Sequence, residues 1–94
     1  MKFEFDPAKS KANAAKHGID FAQAQALWAD DLRLVVPLNF LAEPRWLLVA
    51  RLSGKIWTAI FTIRGESIRL ISVRRARENE KENYENQAQD DNGS

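Results

Sequence analysis

The sequence predicts an α+β domain: a short N-terminal strand, two helices, an antiparallel β-meander and a C-terminal helix. Three observations carry this. Helix start and stop signals fill residues 6–28, the apolar period changes to two at Leu32, and tight-turn signals then recur at Ser53-Gly54 and Arg64-Gly65-Glu66-Ser67. A helix is read from a 3.6-residue period and a half-buried strand from a period of two.

Lys2–Phe5 is the strand candidate. Asp6-Pro7 opens the first helix, because a carboxylate can cap free N–H groups and proline fits the first helical position. That helix is expected to run to about Lys16 and to stop at Gly18. Asp20 caps a second helix, with Gln23 three residues on to complete a capping box and Ile19 placed to staple onto Ala24. Phe21, Ala24, Leu27 and Trp28 form its buried face.

Leu32–Leu38 is expected as a strand, with Pro37 placing it at an edge. Arg45–Leu52, Ile56–Arg64 and Ser67–Val73 complete a meander. In the first of these, Trp46, Leu48 and Ala50 share one face, and Arg45, Leu47, Val49 and Arg51 the other. Strict alternation in the last puts Arg69, Ile71 and Val73 opposite Ile68, Leu70, Ser72 and Arg74. Arg75 to about Tyr84 is a charged closing helix. Residues 1–86 thus form a single domain, and residues 87–94 read as a flexible polar tail.

With 94 residues and 45% hydrophobic content, the chain has the composition of one small folded domain. It holds no cysteine, which excludes disulfides, thiolate zinc sites and a cysteine nucleophile, and its one histidine cannot build a histidine-rich metal site. No metal and no cofactor are expected. No apolar run approaches the roughly 20 residues of a membrane span. The N-terminus lacks an apolar signal core, so a cytoplasmic protein is expected.

Net charge is +1, but it is segregated. Residues 1–44 carry −1, residues 45–77 carry eight Lys/Arg against Glu66 alone, and residues 78–94 carry −5. A basic middle in a near-neutral chain indicates a localised anion site. Arg51, Arg64 and Arg74 each stand at or near a strand end, where they are expected to gather around a phosphate, or else to pair with Glu43, Glu66 and the acidic helix. Trp28, Trp46 and Trp57 fall at apolar-face positions and are read as core.

Lys9, Asn13, Lys16 and His17 make one polar stripe on the first helix. His17 also stands where a cation meets the negative end of the helix dipole, so it reads equally as a cap. The stretch F-E-F-D-P-A-K-S-K-A-N-A-A-K-H-G-I-D-F resembles the opening signature of the BrnT toxins of type II toxin–antitoxin pairs. F-T-I-R-G-E-S-I-R-L-I-S-V-R-R-A, followed by Glu80 and Tyr84, resembles the family's second signature. Ile63 stands before Arg64 where an acid is frequent, which weakens any carboxylate role there. The resemblance implies a RelE-like fold and a toxin that cleaves RNA and stops translation. It also implies a BrnA-like antitoxin with a ribbon-helix-helix DNA-binding segment, which neutralises the toxin, contacts the operator DNA and is expected in a 2:2 complex.

Cleavage without a metal needs a base for the 2′-hydroxyl, an acid for the 5′-oxygen and cations for the phosphate. The candidate catalytic residues are His17, Arg51, Arg74, Arg64 and Glu43. The candidate RNA- or phosphate-binding residues are Lys9, Asn13, Lys16, Arg45, Arg69 and Tyr84. The alternative is a toxin homologue that cuts nothing and acts as a binding module with its antitoxin.

Overall fold

The computed structural model describes residues 1–39 and 42–93, with side chains described to residue 87. Among the described residues, three helices and a five-stranded mixed sheet form an α+β domain. Strand β1 (Lys2–Glu4) leads into helix α1 (Pro7–His17). The Asp6 carboxylate accepts from the Ala8 N–H, and Gly18 ends α1 in the left-handed region at φ 80°. Helix α2 (Phe21–Ala24) opens on the Asp20–Gln23 capping box and tightens into a 3-10 turn over Gln25–Ala29. The expected single second helix is therefore a short α turn followed by a 3-10 turn. Within it Trp28 packs edge-on against both Phe3 and Phe61.

Strands β2 (Leu34–Leu38), β3 (Arg45–Leu52), β4 (Lys55–Arg64) and β5 (Ser67–Arg75) pair antiparallel in sequence. Strand β1 adds to the far side of β5 in parallel, giving the order β1-β5-β4-β3-β2. Strand β2 starts two residues later than expected, because Asp30 takes the backbone first. Its carboxylate accepts from the Leu32 N–H and its carbonyl from the Arg33 N–H. Strand β5 runs two residues beyond Val73, since Arg74 and Arg75 still pair with Thr58 and Trp57. Helix α3 (Glu78–Gly93) accordingly begins three residues later than expected. It also continues through most of the stretch expected as a tail, where Gln87 donates to the Leu32 carbonyl.

A bulge corrects the alternation expected for β5. Ile60 pairs with Ser72 but Phe61 pairs with Leu70, so Ile71 is the extra residue. Ile68, Leu70 and Val73 consequently face the same way, with Trp57, Ala59 and Phe61 of β4. That face joins Leu48, Ala50, Ile19, Phe21, Ala24 and Leu27 in the main core, and the partly buried Trp28 and Trp46 pack on it. A smaller cluster, Val49, Ile56, Ala76 and Tyr84, holds α3 on the opposite face.

Candidate active site at one end of the sheet

The register puts Arg45, Arg51, Arg64, Arg69 and Arg74 on the face that carries α3, since paired residues of antiparallel strands point the same way. They do not form one cluster. Arg51 is the penultimate residue of β3 and is paired with Ile56 near the start of β4, whereas Arg64 ends β4. Eight residues of extended chain separate Ile56 from Arg64, roughly 26 Å at about 3.3 Å per residue. The expected gathering of Arg51, Arg64 and Arg74 is therefore corrected. An antiparallel turn sets the end of one strand beside the beginning of the next, so Arg51 and Arg74 share one end of the sheet and Arg64 lies at the other.

Asp30 organises the Arg51 end. Its carboxylate accepts from the Arg51 N–H (2.9 Å), the Leu32 N–H (2.9 Å) and the Tyr84 hydroxyl (2.6 Å). Burial pushes the Asp30 pKa up, but these hydrogen bonds and the Arg51 charge outweigh it, and the carboxyl lies below its ordinary value. Tyr84 moves the other way: burial, and then the Asp30 carboxylate, raise its hydroxyl's pKa. The exposed Arg51 guanidinium stands 6.0 Å from the Tyr84 ring centroid, at the outer limit of a cation–π contact. These residues line an open cleft of about 470 Å³ together with Ala26, Ala29 and the hairpin tip Leu52–Gly54. The arrangement places the exposed Arg51 cation on the lining of a cleft, over a tyrosine hydrogen-bonded to a carboxylate.

Arg74 faces the same side but is engaged. Its guanidinium donates to both oxygens of Glu80 (2.8 and 2.9 Å), and Glu80 also accepts from the Thr58 hydroxyl and the Arg77 N–H. Burial raises the Glu80 pKa, but Arg74 and these donors override it and hold the carboxyl at about 2. Arg74 therefore pins α3 to the sheet rather than presenting a charge to solvent.

The sequence profile for the ribonuclease toxin BrnT of type II toxin–antitoxin systems matches residues 5–80, four-fifths of the chain. The chain belongs to the BrnT family. Among curated proteins, no sequence matches it. The family is one of ribonuclease toxins, and its members act with an antitoxin.

In this BrnT-family fold the remaining sequence-predicted residues divide by location. Asn13 is buried, and both protons of its amide are taken by the Ile19 and Val73 carbonyls. Both amide protons are thereby engaged within the fold. Lys9 and Lys16 are exposed on α1, and His17, half-buried, is the last residue of that helix. Glu43, Arg45, Arg64 and Arg69 belong to the opposite end of the sheet from Arg51. There Arg45 lies 3.9 Å from Glu43 and Arg69 lies 3.7 Å from Glu4. Glu43 is thus separated from Arg51 by most of the length of β3.

Sequence reasoning missed Asp30. The signal present was W-A-D-D-L, an acidic pair between a helical segment and a strand, which marks an Asx-type turn but not a partner 54 residues away. Among the described residues, no group of three or more His, Asp or Glu side chains gathers to hold a metal ion. No helix there is long and apolar enough to cross a membrane.

Proposed function

We propose that this chain is an endoribonuclease that cleaves RNA at the Arg51 end of the sheet without a metal ion, and that its activity stops translation. Family membership supports the reaction class. The observation that carries the location is Arg51, an exposed guanidinium whose backbone is fixed by Asp30 on the lining of the larger cleft. In this reading Arg51 binds the scissile phosphate and stabilises the charge that grows on it as the 2′-oxygen attacks phosphorus and the 5′-oxygen leaves. Tyr84 and Asp30 hold the surroundings of Arg51 rigid. His17 is the proton-transfer residue, because it is the only histidine and its helix ends at Gly18, on the rim of a neighbouring cleft. Helices packed on a small sheet suit the RelE-like ribonuclease arrangement.

The partner in this reading is a BrnA-like antitoxin with a ribbon-helix-helix segment, assembled as a 2:2 complex that reaches operator DNA through the antitoxin alone. A second reading, a module that binds but does not cut, draws on one observation: Asp30, the carboxylate lining the cleft, accepts three hydrogen bonds and is not a free base. Incubation of the purified chain with RNA in excess chelator separates the two. Cleavage products that vanish in Arg51→Ala support the nuclease. Binding without products in the wild type supports the module.

A further inference from the structure

The tip of the β3–β4 hairpin carries a feature that hairpin formation does not require. Ser53 and Gly54 both have positive φ, 52° and 78°, as a type I′ turn demands. Asparagine, aspartate and glycine adopt that conformation readily, and serine does so at a cost in strain. Ser53 is exposed. The turn accounts for the positive φ at both positions, but it does not by itself call for serine at the first.

Ser53 stands where an exposed hydroxyl can reach a ligand. Ser53 and Leu52 line two clefts at once. One is the Arg51–Tyr84 cleft. The other, of about 230 Å³, lies between the hairpin and the end of α1, and Gly18, Ile19, Gln23, Lys55 and Trp57 complete it. Its floor is apolar, from Ile19, Leu52 and Trp57. Its rim is polar and carries one cation, the exposed Lys55; Arg75, which does not line the cleft, stands 5.5 Å over the ring of Trp57. The Gln23 amide oxygen accepts from the Asp20 N–H, and the same amide carries an NH₂ group that can donate. An apolar floor with a few polar groups on a cationic rim suits a flat heterocycle attached to a phosphate. The volume is below the roughly 300–1,000 Å³ of a drug-sized site, so it suits a single ring system.

We propose that the hairpin tip is a ridge that reads single-stranded RNA, with the Ser53 hydroxyl donating to the sugar–phosphate backbone and the smaller cleft taking the nucleobase next to the scissile position. This rests on the assignment of phosphate binding to Arg51. It makes Ser53 a substrate-contacting residue, and it makes Gln23 and Lys55 the groups that set base preference.

Ser53→Gly tests it, because glycine relieves the strain while deleting the hydroxyl. The full chain is titrated with a short single-stranded RNA made uncleavable by 2′-O-methylation, and binding is followed by fluorescence anisotropy beside thermal melting. The expected result is affinity about tenfold weaker with a melting temperature unchanged or raised, since a lost hydrogen bond to a charged group is worth at least that factor. A single abasic nucleotide moved along the same RNA should weaken binding at one position only. If Ser53→Gly binds like wild type, or if no abasic position matters, while Arg51→Ala still abolishes binding, the ridge is overturned and the Arg51 assignment stands. If Arg51→Ala also binds normally, the Arg51 assignment fails and the ridge fails with it.

Discussion

The side-chain amide of Asn13 completes the edge of β5 at Val73, sixty residues away. Its Nδ2 donates to the Val73 carbonyl at 2.9 Å, and its Oδ1 accepts from the Val73 N–H at 3.2 Å. Strand β1 pairs only as far along β5 as Arg69, so the edge beyond would otherwise be open. One side chain thus serves as a further strand residue. The same amide donates to the Ile19 carbonyl and so fixes the chain just after α1. The end of α1, with His17, is thereby set relative to the sheet.

Asn13→Ala should be among the most destabilising single changes in the chain. It orphans the Val73 N–H and two carbonyls in a buried place, at about 1–3 kcal/mol for each group left unsatisfied. A loss of at least about 2 kcal/mol is expected, read from denaturant unfolding. Asn13→Asp tests the donors specifically, because a carboxylate cannot donate to either carbonyl. It should be at least as damaging at neutral pH. Wild-type stability in both variants would remove the strand-completing role.

Arg51 and Arg74 should separate activity from folding. Arg51→Ala removes an exposed guanidinium, and exposed charges contribute roughly 0–1 kcal/mol to stability. Its melting temperature should stay near wild type, while cleavage falls on the order of 10²-fold or more. Arg74→Ala leaves Glu80 buried without its partner, which costs on the order of 3 kcal/mol. Its main effect should be on folding, in contrast to the sequence-based expectation that both arginines serve the reaction. Equal melting temperatures for the two variants would contradict this division.

Much of this was legible in the chain, and the failures have physical reasons. Asp6-Pro7, Gly18 and the Asp20–Gln23 box act through neighbours within a few residues, so their caps could be read locally. The meander followed from period two and from glycine at both turns. The two-ended distribution of arginines was also implicit, because successive antiparallel strands must alternate direction. The bulge at Ile71 was not, since no glycine or proline marks it. Nor was the Asp30–Tyr84 hydrogen bond, which depends on how α3 lies across the sheet. Asn13 looked like one of a polar stripe, because its amide's partners are backbone groups of no particular sequence.

Stability should fall in acid over a defined window. The Glu80 carboxyl lies at about 2 in the folded chain against an ordinary value of 4.5. A lowered folded pKa stabilises above the unfolded value, and that contribution is lost as the pH falls through the folded one. The loss should therefore run from about pH 4.5 down to about 2, and the lowered Asp30 carboxyl acts in the same direction. Glu80→Gln should be less stable at pH 7 and show a flatter dependence across that window. Parallel stability curves for the variant and the wild type would place the acid sensitivity elsewhere.

His17→Lys separates the two roles of the residue that ends α1. A cation in the last helical turn interacts with exposed carbonyls and the helix dipole, worth about 0.3–1 kcal/mol, and lysine supplies that as well as histidine does. The variant should therefore melt like wild type. Proton transfer is different, because a lysine side chain ordinarily titrates near 10.4 and at neutral pH is a poor acid and no base. If His17 moves a proton during cleavage, the variant should lose roughly 10²–10⁴-fold in rate, the usual contribution of general acid–base catalysis. His17→Ala is the weaker experiment, since it deletes the helix-end polar group and the imidazole together. The expected result is an unchanged melting curve with impaired RNA cleavage, measured on the same preparation. Full cleavage by a normally melting His17→Lys chain would reduce His17 to a helix terminator and leave Arg51 to accelerate the reaction through charge alone.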